Sequence, residues 1–301
     1  DTSACGKMEA MFYGCESLEV LDVAGFNTSK VMSMDSMFAG CESLTELNVS
    51  GFDTSQVRMM GHMFEDCKKL TTLDVSGFDT RNVTFFYGMF SGCSSLASLD
   101  VSGFKTSAAY HIGAMFQNCS SLTAVDVSGF DTSNVTYMFG VFQNCAKLTT
   151  LDVSNFDTSK VWDFESMFSG CSSLVTIYGP SAFDLSSINR IDYSDIIFRG
   201  CTSLVGGQGT TNATTRIRVD YARIDGGESA PGHFTAAVPT PVPDPDPTPV
   251  PDPDPTPVPD PDPTPVPDPE PKAMPTLFDS FAAGAVSEKG ATYNGFLGDE
   301  T

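Results

Sequence analysis

The stretch Asp53-Thr54-Ser55-Gln56-Val57-Arg58-Met59-Met60-Gly61-His62-Met63-Phe64-Glu65-Asp66-Cys67-Lys68-Lys69-Leu70-Thr71-Thr72-Leu73-Asp74-Val75-Ser76-Gly77-Phe78 decides the fold. Moved by 26 residues in either direction, it recurs. Cysteines fall at 15, 41, 67, 93, 119, 145 and 171, each 26 after the last, and then at 201. A fixed period of about 20–50 residues marks a stacked-coil architecture, in which neighbouring coils bury one another's apolar faces. Six units keep this length from Asp1 to Phe156. The seventh gains one residue near Gly179 and the eighth about three before Ile197-Phe198, which accounts for the 30-residue step from Cys171 to Cys201.

Each column of the repeat has a physical reading. Leu18, Leu44, Leu70, Leu96, Leu122, Leu148 and Leu174 each open an L-x-x-L-x-V stretch. Its alternation fits a short strand with the apolar residues turned inward. Val31, Met34, Met37-Phe38 and Cys41 have the spacing of one face of a short helix or 3₁₀ segment. The preceding Asp-Thr-Ser can accept from the free amides of a first turn. Before each repeat cysteine from Cys15 to Cys201 stands Gly, Asn or Asp (Gly40, Asp66 and Asn118 among them), residues that tolerate a left-handed ending. The expectation is an α/β repeat solenoid, leucine-rich-repeat-like. Its coils would carry short parallel strands on one wall and short helices on the other, stacked ~4.8 Å apart.

The solenoid, of about eight coils, is expected over 1–204, with a C-terminal cap and exit segment at 205–238. Asp1-Thr2-Ser3 matches Asp53-Thr54-Ser55, so the first unit begins mid-coil and further coils or a cap are expected upstream. At 239–271 every second residue is proline, in a cycle of Thr-Pro-Val-Pro-Asp-Pro-Asp-Pro. Proline lacks the amide donor and fixes φ, so this segment is expected to be a disordered, extended stalk near ~3.1 Å per residue. Residues 272–301 read as the start of another domain.

The unit Met-Phe-x-Gly-Cys-x-Ser-Leu-x-x-Leu-Asp-Val-Ser-Gly-Phe-Asp-Thr-Ser-x-Val resembles the BspA-type leucine-rich-repeat surface proteins of bacteria. The likeness runs over 1–234 and includes Tyr221-Ala222-Arg223-Ile224-Asp225-Gly226-Gly227 and Pro231-Gly232-His233-Phe234, which look like that family's closing segment. The resemblance implies an extracellular, cell-wall-associated, adhesin-like protein. Its partners would be host extracellular-matrix or cell-surface proteins or glycans.

Charge and chemistry narrow the function. The net charge of -22 disfavours nucleic acid and anionic membranes as partners. No apolar run reaches the ~18 residues of a membrane span. A monomer is expected. The cysteines are spaced by the repeat, so equivalent thiols point the same way, and buried reduced thiols are expected rather than disulfides or a metal site. Cys5 stands in the column of Val31 and Val57 and acts as a small hydrophobe. The methionine columns read as core. Asp22, Asp74, Asp100, Asp126 and Asp152, with Asn48, fall on the outer face of the strands, where stacked carboxylates repel. Calcium would relieve that repulsion, and so would hydrogen bonds to neighbouring backbone or hydroxyls. His62, His111 and His233 stand in different columns, and no catalytic constellation, cofactor site or metal site is expected.

One set of residues breaks the pattern. The outward positions of the presumed helices should be polar, yet coils four to seven carry Phe85, Tyr87, Tyr110, Tyr137, Phe139 and Trp162 there. Exposed aromatics on adjacent coils form a contact surface, since Tyr and Trp dominate interface energetics. Lying flat, the same rings would only shield the joins between coils. The expected function is non-enzymatic recognition at a bacterial surface, the alternative a structural spacer with the ligand site elsewhere.

Overall fold

The computed structural model describes residues 1–180, 183, 196–212 and 219–237. The expected stalk at 239–271 and the segment at 272–301 lie outside the described residues. Along 1–180 the chain winds as a solenoid, each coil lying in register 26 residues from the last.

The strand wall is present and short. β1 (Val20–Leu21) pairs in parallel with β2 (Glu46–Leu47), Leu21 opposite Leu47. β3 (Thr150–Asp152), β4 (Thr176–Gly179) and β5 (Phe234–Ala236) form a three-stranded parallel sheet in that order, with Leu151 opposite Ile177 and Ile177 opposite Phe234. Between the two sheets, Leu99 and Val125 make a single parallel bridge. The leucines and valines that alternate along this wall face inward and are buried, save Leu18, Leu21 and Val125, which are half-buried.

The other wall differs from expectation: the described residues contain no α-helix. In Met34–Cys41 the amides of Met37, Ala39 and Cys41 close tight turns on the carbonyls of Met34, Ser36 and Phe38 at 3.1–3.2 Å. The intervening amides of Met34, Ser36, Phe38 and Gly40 turn away, to the carbonyls of Met59, Gly61, Met63 and Glu65 on the next coil at 2.7–2.9 Å. An α-helix would direct every amide along its own axis. Here half of them run along the solenoid axis instead. The backbone achieves this with two left-handed residues per coil, Ser36 (φ 57) and Gly40 (φ 75) in this one. Side chains with a Cβ disfavour that region by about 1–2 kcal/mol. The ordered bonds between coils offset the cost, since an unpaired buried amide would cost as much or more. The apolar spacing that resembled a helix is that of consecutive turns curling round the same core.

The core is a set of columns. Phe38, Phe64, Phe90, Phe116, Phe142, Phe168 and Phe198 are fully buried. Successive phenylalanines of this column stack nearly parallel, Phe38 on Phe64 at 5.7 Å and 9°, Phe142 on Phe168 at 6.0 Å and 1°. Truncating one buried ring removes contacts from both neighbours, at about 3–5 kcal/mol. The methionine columns are buried from the second coil on; Met11, in the first, is 40% exposed.

Beside the rings lies a column of thiols. Cys67, Cys93, Cys119, Cys145 and Cys171 are buried, and each Sγ donates to the phenylalanine carbonyl of the coil before it, from Cys67 to Phe38 O at 3.4 Å to Cys171 to Phe142 O at 3.0 Å. Cys41 and Cys201 do the same to Phe12 and Phe168. All nine cysteines are free, Cys5 half-buried and Cys15 exposed. Burial raises the buried thiols, Cys41 to about 11 and Cys171 to about 12.

The Asp-Thr-Ser triplet stitches coils rather than capping helices. Thr54, Thr80, Thr106 and Thr132 are buried, and each hydroxyl donates to the carbonyl 25 residues ahead, at 2.9–3.1 Å. The Thr54, Thr80 and Thr132 hydroxyls also accept the amide of that same residue at 2.7–2.8 Å. The aspartate turns the chain locally: Asp53 Oδ1 accepts the Ser55 amide at 3.0 Å.

At the C-terminal end of the described coils, β5 adds to the sheet and Phe234 is buried against Phe168 and Phe198. The Asp225 carboxylate fastens this segment. It accepts the Gln208, Thr210 and Gly227 amides and the Thr210 hydroxyl at 2.7–3.0 Å.

Candidate functional site: an aromatic wall

The turn wall carries a second ladder of single parallel bridges, Lys7 to Ser33, Met59, Phe85, His111, Tyr137 and Asp163 in sequence. Because consecutive coils are in register, equivalent side chains stand side by side at coil spacing. Phe85, His111 and Tyr137 are therefore neighbours, and the flanking columns supply Tyr87, Tyr110 and Trp162.

These rings form one cluster. The His111 imidazole lies flat on Tyr137 at 4.6 Å and 6°, and meets Tyr87 and Phe85 edge-on at 4.9 and 5.3 Å. Tyr110 leans on Phe85 at 5.9 Å, and Trp162 packs edge-on against Tyr137 at 4.4 Å. His62 extends the row by touching Tyr87 at 4.9 Å. Tyr110 is 45% and Trp162 41% exposed, while Phe85, Tyr87, His111, Tyr137 and Phe139 are half-buried. Phe139 stands in the Tyr87 column with Gly113 between them, and its carbonyl accepts the Ala114 amide at 2.6 Å.

Glycines make room for this arrangement. A Cβ on Gly61 would fall 2.5 Å from a ring carbon of Phe85, and one on Gly113 would fall 2.9 Å from His111 and 3.1 Å from the Phe139 carbonyl. Gly61 and Gly113 alternate with Tyr87 and Phe139 in one column, so a ring on one coil lies over a bare backbone on the next.

The two histidines of this wall are shifted in opposite directions. His111 Nδ1 accepts the Gly113 amide at 3.2 Å, and burial, with the nearby His62, pushes the imidazole down to about 4. It is neutral near pH 7. His62 Nδ1 sits 2.9 Å from Glu65 Oε2, and that hydrogen bond holds it above the usual histidine value against partial burial.

Of the six residues that sequence reading proposed, five join this cluster, Phe139 stands in the Tyr87 column outside these ring contacts, and His111, the hub, was missed. The signal was present: His111 occupies the column of Phe85 and Tyr137. Treating the histidines only as potential catalysts hid it.

The strand wall offers a shallow hollow lined by Glu46, Asn48, Thr72, Asp74, Ser98 and Asp100. Its outward aspartates are engaged locally. Asp74 and Asp100 each accept a serine hydroxyl at 2.7 Å and that serine's amide at 3.0 Å, bonds that hold both carboxyls below the usual range. Among the described residues, no three His, Cys, Asp or Glu side chains are grouped to hold a metal ion. No helix among them is long and apolar enough to cross a membrane.

Register-locked coils, buried columns and an outward aromatic row define a solenoid of stacked repeats. The family profile described as "Mycoplasma protein of unknown function, DUF285" matches residues 6–124 and again 87–204, and the chain belongs to that family. Among solved structures, a leucine-rich repeat protein of T. pallidum is similar at 23% identity, over 55% of this chain and 69% of that one, with a TM-score of 0.37. A leucine-rich repeat protein of Eubacterium ventriosum is similar at 22% identity, over 54% of this chain and 42% of that one, with a TM-score of 0.27. The functional domain of InlJ from Listeria monocytogenes, described as including a cysteine ladder, is similar at 18% identity, over 65% and 49%, with a TM-score of 0.23. No curated protein matches the sequence.

Proposed function

We propose that the solenoid is a non-enzymatic recognition module of the BspA type. On this reading it is displayed on the outside of a bacterial cell wall and is adhesin-like, engaging a host matrix or cell-surface macromolecule. The observation that carries the reading is the row formed by Phe85, Tyr87, Tyr110, His111, Tyr137 and Trp162, whose two most exposed members stand two coils apart on one wall. Aromatic side chains supply large contact area at low conformational cost, which suits them to anchoring a partner. A rigid backbone holds them in place, since every coil is bonded to the next.

A spacer role draws on a different fact: Phe85, Tyr87 and Tyr137 are half covered by neighbouring rings and so also shield the coil joins. One experiment separates the two. The protein is assayed against immobilised matrix proteins, mucins and cell-surface glycans beside a variant carrying Tyr110→Ser, Tyr137→Ser and Trp162→Ser. Saturable binding that the folded variant loses supports recognition through this wall. Binding retained by the variant moves the site to another face, and binding to nothing favours the spacer.

A further inference from the structure

Five of the six clustered rings, all but Trp162, fall in a window free of charge. Residues 82–91, 108–117 and 134–143, which form the turn wall of three consecutive coils, contain no Asp, Glu, Lys or Arg. The equivalent segments on either side do. Residues 56–65 carry Arg58 and Glu65, and residues 160–169 carry Lys160, Asp163 and Glu165. The one histidine inside the window, His111, is neutral near pH 7, its acceptor nitrogen facing the Gly113 amide. In a chain of net charge -22, three consecutive coils with none on this wall are a selective feature, and Trp162 stands at their edge beside Asp163.

The polar groups within the charge-free window include Thr84 and Thr136 and four amides: Gln117 and Gln143 on one side, and on the other Asn82 and Asn134, which donate to the Ser55 and Ser107 carbonyls at 2.8 and 2.9 Å, with Lys160 Nζ bonding Asn134 Oδ1 at 2.7 Å. They are at least partly exposed, and the two glutamines bond to each other across the coil join. Ring faces are electron-rich and accept polarised C–H groups. Side-chain amides both donate and accept, as hydroxyl groups require. Rings for C–H faces, amides and hydroxyls for sugar hydroxyls and no ion on three of the four coils together fit an uncharged sugar chain.

The spacing supports the same ligand. Coils repeat at ~4.8 Å along the axis. An extended β-linked polysaccharide advances by nearly the same distance per sugar, so it can run along the wall with one ring per coil. Tyr110 and Trp162 stand two coils apart with Thr136 between them, in one column. They would meet alternate sugars, which in such a chain present equivalent faces. We infer that the aromatic wall over coils four to seven is a binding site for an uncharged β-linked polysaccharide lying along the solenoid axis. This rests on the recognition reading above and names its ligand class.

Trp162 is the only tryptophan in the chain, so its fluorescence reports on the site directly. The protein is titrated with soluble β-1,4-glucan, β-1,4-mannan and N-acetylglucosamine oligomers, and separately with heparin, hyaluronate and alginate. The expected result is a saturable change in Trp162 emission with at least one neutral chain, unaffected by salt because no ion pair forms. Affinity should fall by about tenfold in Tyr110→Ser and Trp162→Ser, measured by calorimetry. Trp162→Phe, which keeps a ring, should retain most of it. Val175→Ser, an exposed change on the strand wall, should not alter binding, and melting curves check that each variant folds. Binding only to the charged chains would overturn the inference. Binding to a protein ligand, lost in the ring variants while every neutral chain fails, would overturn it and leave the recognition reading standing. Failure of every ligand, sugar and protein, would overturn both.

Discussion

The Thr210 hydroxyl donates to Asp225 Oδ1 at 2.7 Å, while the Thr210 amide donates to Oδ2 of the same carboxylate at 2.9 Å. One residue thus grips both oxygens, and the Gln208 and Gly227 amides complete the set. Burial would raise the Asp225 carboxyl, but these donors together reverse that and bring it to about 2. Removing the carboxylate leaves several donors unpaired in a site that is nearly closed to solvent. Asp225→Ala is expected to lower stability by about 3 kcal/mol, read by chemical denaturation. Because the folded value lies below the ordinary 3.8, the stabilisation is full above about pH 4 and is lost as pH falls toward 2. Asp225→Asn should abolish that part of the acid dependence.

The thiols give a second test. Under non-reducing conditions the unfolded chain should present nine titratable thiols. In the native protein Cys15 should react first and Cys5 more slowly. The seven buried thiols, raised by burial and hydrogen-bonded to carbonyls, should react only on the timescale of unfolding. Rapid labelling of Cys93 or Cys119 in native protein would contradict the packing described.

The histidines should titrate in opposite directions. Proton NMR is expected to place His62 above the ordinary value and His111 near 4. The signs follow from which state binds the proton more tightly. His111 favours the folded state fully above about pH 6.5, and that contribution declines as pH falls toward 4. His62 favours it below about 6.5 and loses the contribution as pH rises through its higher folded value. Glu65→Gln should return His62 toward the ordinary range. Gly113→Ala should displace His111 into solvent and raise its value, since a Cβ there has no space.

The threonine column can be tested at Thr80. Its hydroxyl donates to the Lys105 carbonyl at 3.1 Å and accepts the Lys105 amide at 2.7 Å. Thr80→Val keeps the shape and strands both groups, so a loss of about 1–3 kcal/mol is expected. Thr80→Ser should cost less. Equal losses for the two would show that packing, not the bridge, sets the residue.

Much of the coil was legible because apolar periodicity reports which side chains face inward, whatever the backbone does between them. Leu70, Leu73 and Val75 identify the strand wall in this way. The turn wall was misread because Met34, Met37, Phe38 and Cys41 have the same spacing on a helical face and on consecutive turns. What separates the two is where the amides point, and no side chain records that directly. The left-handed column holding Ser36, His62, Gly88, Ala114 and Gly140 gave only a faint signal, since most of its members are not glycine. The outward rings were found by their departure from polarity. His111 joined them only once register was known.

Alignment of the amides with the solenoid axis also has a mechanical consequence. Tension applied between the first and last coils pulls along the bonds that join neighbours, loading them one rank at a time rather than in shear. Such a stack yields by peeling. Each released coil of 26 residues adds about 90 Å of contour at roughly 3.4 Å per residue. A force-extension trace would then be a regular sawtooth of low, evenly spaced steps. A stack with that response lengthens coil by coil under a sudden load instead of parting at once.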